Sequence, residues 1–183
     1  MSLALKYPPH NTVEEWRHWE GRWELIEGMP YNMSPAPSKR HQQINLELAI
    51  ILKREIKNCK NCEVLLPIDW EIADDTVVQP DLTIVCNDTN KKKLSKIPEL
   101  VVEILSPSTR KKDLDLKSIL YKEAGVGFYL IADPESDSIL LFDYFDKKNT
   151  LHQKPKKLTG NRINISLPSG CKLTADLNLI FNT

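Results

Sequence analysis

The sequence has little of what membrane-spanning and disulfide-rich proteins contain in abundance. No run of about 18 or more apolar residues occurs, which argues against a transmembrane helix. The first residues lack the long apolar centre of a signal peptide. There are only four cysteines, and in a chain of 183 residues they favour free thiols over a disulfide framework. We therefore expect a cytoplasmic protein that binds no membrane.

A surplus of charge of one sign is also missing. Lys and Arg number 25 and Asp and Glu number 25, so the formal net charge is +0. This excludes a uniformly basic, histone-like binder and an acidic disordered tail. Local basic runs remain at 91–93, 96, 110–112 and 154–157. They are compatible with a groove that follows phosphates and, equally, with ordinary solvated loops.

The length predicts a single domain over residues 1–183. We expect an N-terminal helix and hairpin at 12–34, a core at about 38–145, and C-terminal strands at 150–183. The helices and strands are predicted from helix-capping residues, from the spacing of apolar residues, and from Gly and Pro residues that end them. Helices are expected at 12–20, 38–57 and 110–124, and strands at 22–26, 29–33, 63–72, 77–86, 99–105, 128–132, 138–142 and 162–167. Long helices beside buried strands indicate an α/β (α+β) fold, a mixed sheet flanked by helices.

Two carboxylates stand at positions where apolar residues are the rule. Asp81 follows Pro80 at the head of an apolar run, and Glu103 lies inside another. A carboxylate in an apolar strand is costly to bury unless it is paired, protonated or bound to metal. The alternative is that Glu103 ends a strand and pairs with a surface Lys or Arg.

The helix at 110–124 carries a second unusual pattern. Its apolar stripe includes Leu120 and Tyr121, and Asp113 and Lys117 fall within that stripe at 100° per residue, whereas Ser118 falls outside it. An inward Lys needs a partner, and carboxylates on a neighbouring strand would serve. The alternative is a lysine that extends along the edge of the stripe to water.

Cys59-Lys-Asn-Cys62 has the spacing of half a zinc site. No second pair of cysteines has ligand spacing, and a structural zinc ion normally takes four ligands. We therefore expect no zinc.

The order of motifs along the chain resembles the Uma-type putative restriction endonucleases of the PD-(D/E)XK nuclease superfamily. The resemblance covers about 16–133 and continues more weakly to the end. The motifs that carry it are Trp23-Glu24-Leu25-Ile26-Glu27-Gly28, Met33-Ser34-Pro35, His41, Gln79-Pro80-Asp81, the segment 98–109 (PELVVEILSPST), Asp113, Lys117, Tyr121, Gly125-Val126, Tyr129 and Asp133-Pro134.

This resemblance implies a restriction-endonuclease-like fold in which Asp81 and Glu103 hold Mg²⁺, with Mn²⁺ as a substitute. The superfamily lysine two residues after the glutamate is replaced here by Leu105. Lys117 is the natural replacement, because both the resemblance and the helical stripe assign it to the site. It would orient the attacking water and offset phosphate charge.

The resemblance also suggests supporting residues. Glu24 matches an acidic accessory ligand, or it pairs across the hairpin. His41 is a candidate phosphate contact, or a capped, solvent-facing histidine. Gln79 and Ser106 flank the acidic residues, and Asp113 is expected to orient Lys117 as an i,i+4 pair.

The resulting hypothesis is a Mg²⁺-dependent endonuclease that binds and cleaves DNA, with a homodimer suited to cutting both strands. The rival hypothesis is a nuclease fold without catalysis that serves as a nucleic-acid or protein-binding module, which the replacement by Leu105 would favour. A glycosidase using Asp81 and Glu103 ranks last, because it leaves the inward Lys117 unexplained.

Overall fold

The computed structural model describes residues 9–33, 35–146 and 154–182. Within these residues the helices are α1 (Val13–Trp16), α2 (Lys39–Glu55) and α3 (Lys117–Glu123). The strands are β1 (Trp23–Ile26), β2 (Met29–Asn32), β3 (Cys62–Leu65), β4 (Trp70–Ala73), β5 (Thr76–Val78), β6 (Leu82–Cys86), β7 (Leu100–Ile104), β8 (Phe128–Asp133), β9 (Ser138–Asp143), β10 (Lys156–Lys157), β11 (Arg162–Ser166) and β12 (Lys172–Asp176). None of these helices is long and apolar enough to cross a bilayer.

The chain divides into two units. The first comprises Met1–Ala36 and Asp69–Gln79, and the second comprises Pro37–Ile68 and Pro80–Thr183, each as far as it is described. The first unit holds α1 and a four-stranded sheet in the order β2-β1-β5-β4. The predicted hairpin of β1 and β2 is confirmed. Its turn residues Glu27 and Gly28 both have positive φ, the conformation that a two-residue hairpin turn favours.

The second unit is built on a six-stranded sheet in the order β10-β9-β8-β7-β6-β3. β7 and β8 run parallel and the other neighbours run antiparallel, so the predicted mixed sheet is confirmed. Every residue of β6 and β7 is buried. α2 begins at its cap Ser38 and buries the predicted apolar residues, which join the same core as the hairpin of β11 and β12.

Two of the predicted strands are wrong in extent, because prolines divide them. The run 63–72 contains Pro67 and splits into β3 and β4, while the run 77–86 splits at Pro80 into β5 and β6. A proline lacks the backbone N–H that a central strand must donate. The halves of each run consequently join different sheets.

The third predicted helix is confirmed but is irregular. It begins near Arg110, and Lys112–Leu116 forms a π-helical turn before α3. A π turn adds a residue to the repeat and so rotates the following face. Ser118, which the regular 100° pattern sets outside the stripe, is therefore buried at 8% exposure together with Lys117.

The prediction of four free thiols is also wrong. Disulfides join Cys59 to Cys171 and Cys62 to Cys86. The second pair lies directly opposite in the register of β3 and β6. The partners are 112 and 24 residues apart in the sequence, so spacing alone could not indicate them.

Candidate active site

Asp81 and Glu103 lie at the same end of neighbouring strands. β6 and β7 are antiparallel with Leu82 opposite Val102, and Asp81 and Glu103 are the residues next to this pair in the sequence. In addition, Oδ2 of Asp81 accepts the backbone N–H of Ile104 at 2.8 Å. The Asp81 carboxylate therefore lies at the end of β7, hydrogen-bonded to the residue that follows Glu103.

Glu103 receives two hydrogen bonds from α3 on a single oxygen. Lys117 Nζ donates to Oε1 of Glu103 at 2.7 Å, and the Tyr121 hydroxyl donates to the same atom at 2.8 Å. Lys117 and Tyr121 are four residues apart and so lie on one face of the helix. The side chains of Lys117 and Glu103 are 3% and 6% exposed. The predicted inward orientation of Lys117 is thus present, and its partner is a strand carboxylate.

Tyr121 is a site residue that the sequence analysis assigned to the apolar stripe. The available signal was its i+4 spacing from an inward lysine. A buried tyrosine hydroxyl normally has a hydrogen-bond partner, and here that partner is Glu103.

The π-helical turn supplies a second carboxylate to Lys117. Asp113 is 2% exposed, and its Oδ1 lies 3.8 Å from Lys117 Nζ as the expected i,i+4 pair. π turns inside helices occur often at functional sites. Lys117 is therefore held between a carboxylate of the sheet and one of its own helix.

His41 lies in the first turn of α2 and contacts the other carboxylate of the site. Its Nε2 is 3.1 Å from Oδ2 of Asp81, and the side chains are 12% and 17% exposed. Burial by itself lowers the pKa of His41, but the hydrogen bond and charge of Asp81 and the carbonyl of Ile104 raise that pKa above its ordinary value. The structure thus places His41 against Asp81 and away from bulk solvent.

Tyr129 lies beside the negative charges of Glu103 and Asp113. Tyr129 packs edge-on against Tyr121, with ring centroids 4.9 Å apart, and donates its hydroxyl to the backbone carbonyl of Asp113. Burial raises the pKa of Tyr129 well above its ordinary value, and the charges of Glu103 and Asp113 raise it further. The carboxylates of Glu103 and Asp113 thus lie close enough to Tyr129 to disfavour ionisation of its hydroxyl.

Leu105 and Ser106 have structural contacts. Leu105, which stands two residues after Glu103, is 4% exposed. Ser106 closes the turn that leads to the third helix: its Oγ accepts the backbone N–H of Thr109 at 3.3 Å and bonds the Thr109 hydroxyl at 2.9 Å. The expected role of Ser106 beside the acidic residues stays a prediction.

Glu24 and Gln79 belong to the first unit, where they contact each other. Oε1 of the buried Glu24 accepts the backbone N–H of Gln79 at 3.0 Å. The side chain of Gln79 donates to Asp69 at 2.8 Å and accepts from Arg22. The accessory roles suggested for Glu24 and Gln79 stay predictions.

The donor set of the second unit fits a hard divalent cation. Among the described residues, no group of three or more His, Cys, Asp or Glu side chains is arranged to hold a metal ion by itself. A cation held by Asp81 and Glu103 would have two protein carboxylates, and water would complete its shell. Mg²⁺ prefers oxygen ligands and is commonly held by one or two carboxylates with several waters.

The fold is similar to that of a solved structure. A protein from Anabaena variabilis ATCC 29413, described as a putative nuclease belonging to DUF820, superposes with a TM-score of 0.73 at 16% identity. The superposition covers 93% of this chain and 97% of that one. At this identity the similarity establishes the fold alone, a mixed-sheet α+β architecture.

The sequence match identifies the family. The Uma2 family, described as "Putative restriction endonuclease", matches residues 11–175. An uncharacterized protein of Synechocystis sp. (strain ATCC 27184 / PCC 6803 / Kazusa) is 30% identical over 123 residues. That alignment spans 62% of this chain and 63% of the relative's length. The chain belongs to the Uma2 family of putative restriction endonucleases.

Proposed function

We propose that the chain is a metal-dependent endonuclease that hydrolyses phosphodiester bonds of DNA. In this proposal Asp81 and Glu103 are the metal ligands, and Lys117 positions the attacking water. The observation that supports it most directly is the pair of donors on Oε1 of Glu103, Lys117 at 2.7 Å and Tyr121 at 2.8 Å. A strand carboxylate that is hydrogen-bonded to a buried ammonium group supports the proposal, because it combines an oxygen ligand with a fixed positive charge.

A bound Mg²⁺ would supply Lewis-acid chemistry, lowering the pKa of a bound water and neutralising charge on the scissile phosphate. Two carboxylates suit this ion because it retains much of its water. Mn²⁺ shares the preference for oxygen ligands and would substitute.

The protein's own groups would orient and stabilise the reactants. The Lys117 ammonium group would hold the attacking water by a hydrogen bond and offset charge that develops on the phosphate. Asp113 would keep this ammonium group charged and correctly directed, because the two groups are only 3.8 Å apart. His41 and the Ile104 backbone would hold the carboxylate of Asp81 through the contacts to its Oδ2.

The test is cleavage of supercoiled plasmid by the wild-type protein and Asp81→Asn, with Mg²⁺, with Mn²⁺ and with a chelator. Asp115→Asn is the matched control, because Asp115 is an exposed carboxylate close to the same helix. We expect nicking that requires the metal, is retained in Asp115→Asn and is lost in Asp81→Asn.

Equal nicking by wild-type protein and Asp81→Asn would contradict the proposal and indicate a contaminating nuclease. Metal-dependent binding of DNA without cleavage of any plasmid would favour the rival function, a nuclease fold that acts as a binding module.

A further inference from the structure

The two units of the chain have net charges of opposite sign, which cancel in the whole sequence. Met1–Ala36 and Asp69–Gln79, the first unit, carry nine acidic and three basic residues. The remainder of the chain, the second unit, carries 16 acidic and 22 basic residues. A polyanion would therefore bind to the second unit and be repelled by the first.

Four of these 22 basic residues lie in the loop between β6 and β7. Lys91, Lys92, Lys93 and Lys96 are all exposed there. Asp88 holds the loop in one conformation: its carboxylate accepts the backbone N–H groups of residues 90, 95 and 96 and the Ser95 hydroxyl, at 2.6–3.1 Å. The lysine side chains are thus presented on a fixed backbone, which lowers the entropy cost of binding.

Other segments bring further lysines to the same end of the sheet. Asn61 and Asn87 are joined by two hydrogen bonds, at 2.7 Å and 3.3 Å, and Lys60 directly precedes Asn61. The disulfide between Cys59 and Cys171 brings Lys172 beside the same segment. Lys57, Lys60 and Lys172 are exposed.

This end of the sheet is far from the candidate active site. Asp81 directly precedes β6, whereas Asn87 directly follows it. At about 3.3 Å per residue the two ends of this segment are roughly 20 Å apart. The lysines therefore form a surface separate from Asp81, Glu103 and Lys117.

We propose that this surface, the lysine end (Lys57, Lys60, Lys91, Lys92, Lys96 and Lys172), binds the phosphate backbone of nucleic acid as a second contact. Lysine acts as a point charge and lacks the planar fork with which arginine reads bases or carboxylates. Contacts to phosphates position a protein on nucleic acid without reading its sequence. The binding is consequently independent of sequence, and it is driven by the release of counterions.

The choice of nucleic acid as the polyanion rests on the proposed function. A second contact would keep the enzyme on a long substrate between encounters with its active site, because the tethered substrate has a raised effective concentration. Metal and catalysis play no part in the lysine contact. Binding can therefore be measured whether or not the chain cleaves DNA.

The experiment is fluorescence anisotropy with a short labelled DNA duplex in a chelating buffer, over a series of salt concentrations. Wild-type protein is compared with the triple variant Lys91→Gln, Lys92→Gln, Lys96→Gln. The control variant is Lys154→Gln, Lys156→Gln, Lys157→Gln. It removes the same charge from exposed lysines in or just before β10, the edge strand on the other side of the sheet from β3. Only the backbone of Lys96 bonds Asp88, so the loop is expected to keep its conformation.

We expect the loop variant to bind at least tenfold more weakly at low salt. The slope of log affinity against log salt should fall by about 2 to 3, close to one for each phosphate contact removed. The control variant should bind like the wild type. Unchanged binding by the loop variant, or an equal loss in the control, would overturn the proposal.

Two further outcomes distinguish this proposal from lipid binding and from the endonuclease proposal. If vesicles with anionic lipids bind through these lysines and the duplex does not, the surface recognises lipid and the proposal is wrong. If plasmid is never cleaved but duplex binding depends on the loop lysines, the lysine end is supported while the endonuclease proposal fails.

Discussion

Lys117 and Glu103 form an ion pair that joins α3 to β7 inside the protein, with Nζ and Oε1 2.7 Å apart. Removing two such groups from water costs several kcal/mol for each ion, and only close partners recover that cost. Here the helix adds Asp113 and Tyr121 around the pair. A buried charge network of this kind is expensive for stability, so its members depend strongly on one another.

Lys117→Met should destabilise the protein strongly, because Glu103 and Asp113 would then be buried without their shared cation. Breaking a buried pair on one side typically costs about 3–5 kcal/mol. Urea denaturation would measure this loss in the free energy of unfolding. Lys111→Met is the control, since Lys111 is exposed on the same helical segment. Equal stability of the two variants would show that the pair is not an important contact.

Tyr121→Phe should weaken the orientation of Glu103, because it removes one of two donors from Oε1. A hydrogen bond to a charged acceptor contributes about 1.5–3 kcal/mol to the free energy of unfolding. In the cleavage assay, we expect Tyr121→Phe to need a higher metal concentration for half-maximal activity. Tyr129→Phe is the matched control: it removes a buried hydroxyl whose acceptor is a backbone carbonyl. A metal requirement that shifts equally in both variants would assign Tyr121 a packing role only.

Features that a short segment determines by itself are the ones that the amino-acid sequence predicts best. The runs that became β6 and β7 are apolar at nearly every position, so burial on both faces was predictable. Lys117 was recognised because a charge inside an apolar stripe is an anomaly on one helix. The fold class followed from these segments and from the family resemblance.

Features that depend on distant partners could not be predicted in the same way. The pairing of Cys59 with Cys171 spans 112 residues, and no local pattern records it. Proline positions were visible, but the assignment of β5 and β6 to separate sheets depends on tertiary pairing. The burial of Ser118 followed from a π turn, which no regular periodicity predicts.

The loop of the lysine end should lose stability in acid. The Ser95 hydroxyl and backbone N–H groups lower the pKa of Asp88 from 3.8 to about 2. The carboxylate therefore stabilises the folded state above pH 3.8, and this contribution disappears as the pH falls toward 2. In thermal unfolding, Asp88→Asn should have a lower melting temperature than wild type at neutral pH. This difference in melting temperature should narrow below about pH 4. A difference that stays constant with pH would contradict this assignment.

The disulfides should contribute substantially to stability. In the chain-entropy account, closing a loop of 24 residues is worth roughly 3 kcal/mol and closing one of 112 roughly 4–5 kcal/mol. We expect Cys59→Ser, Cys171→Ser to unfold at lower urea than Cys62→Ser, Cys86→Ser, and both at lower urea than the oxidised wild type. Titration of thiols in the unfolded, unreduced protein checks the premise. Four reactive thiols at that point would show that the bonds are absent.

In the proposed function the Glu103 carboxylate takes part in metal-dependent cleavage of DNA. The most direct test is the rate of plasmid nicking in Mg²⁺ by Glu103→Gln, compared with wild type and with the exposed control Glu123→Gln. We expect a loss of at least about a hundredfold in Glu103→Gln alone, since removing one preorganised electrostatic group typically costs this much. Nicking by folded Glu103→Gln at the wild-type rate would contradict it.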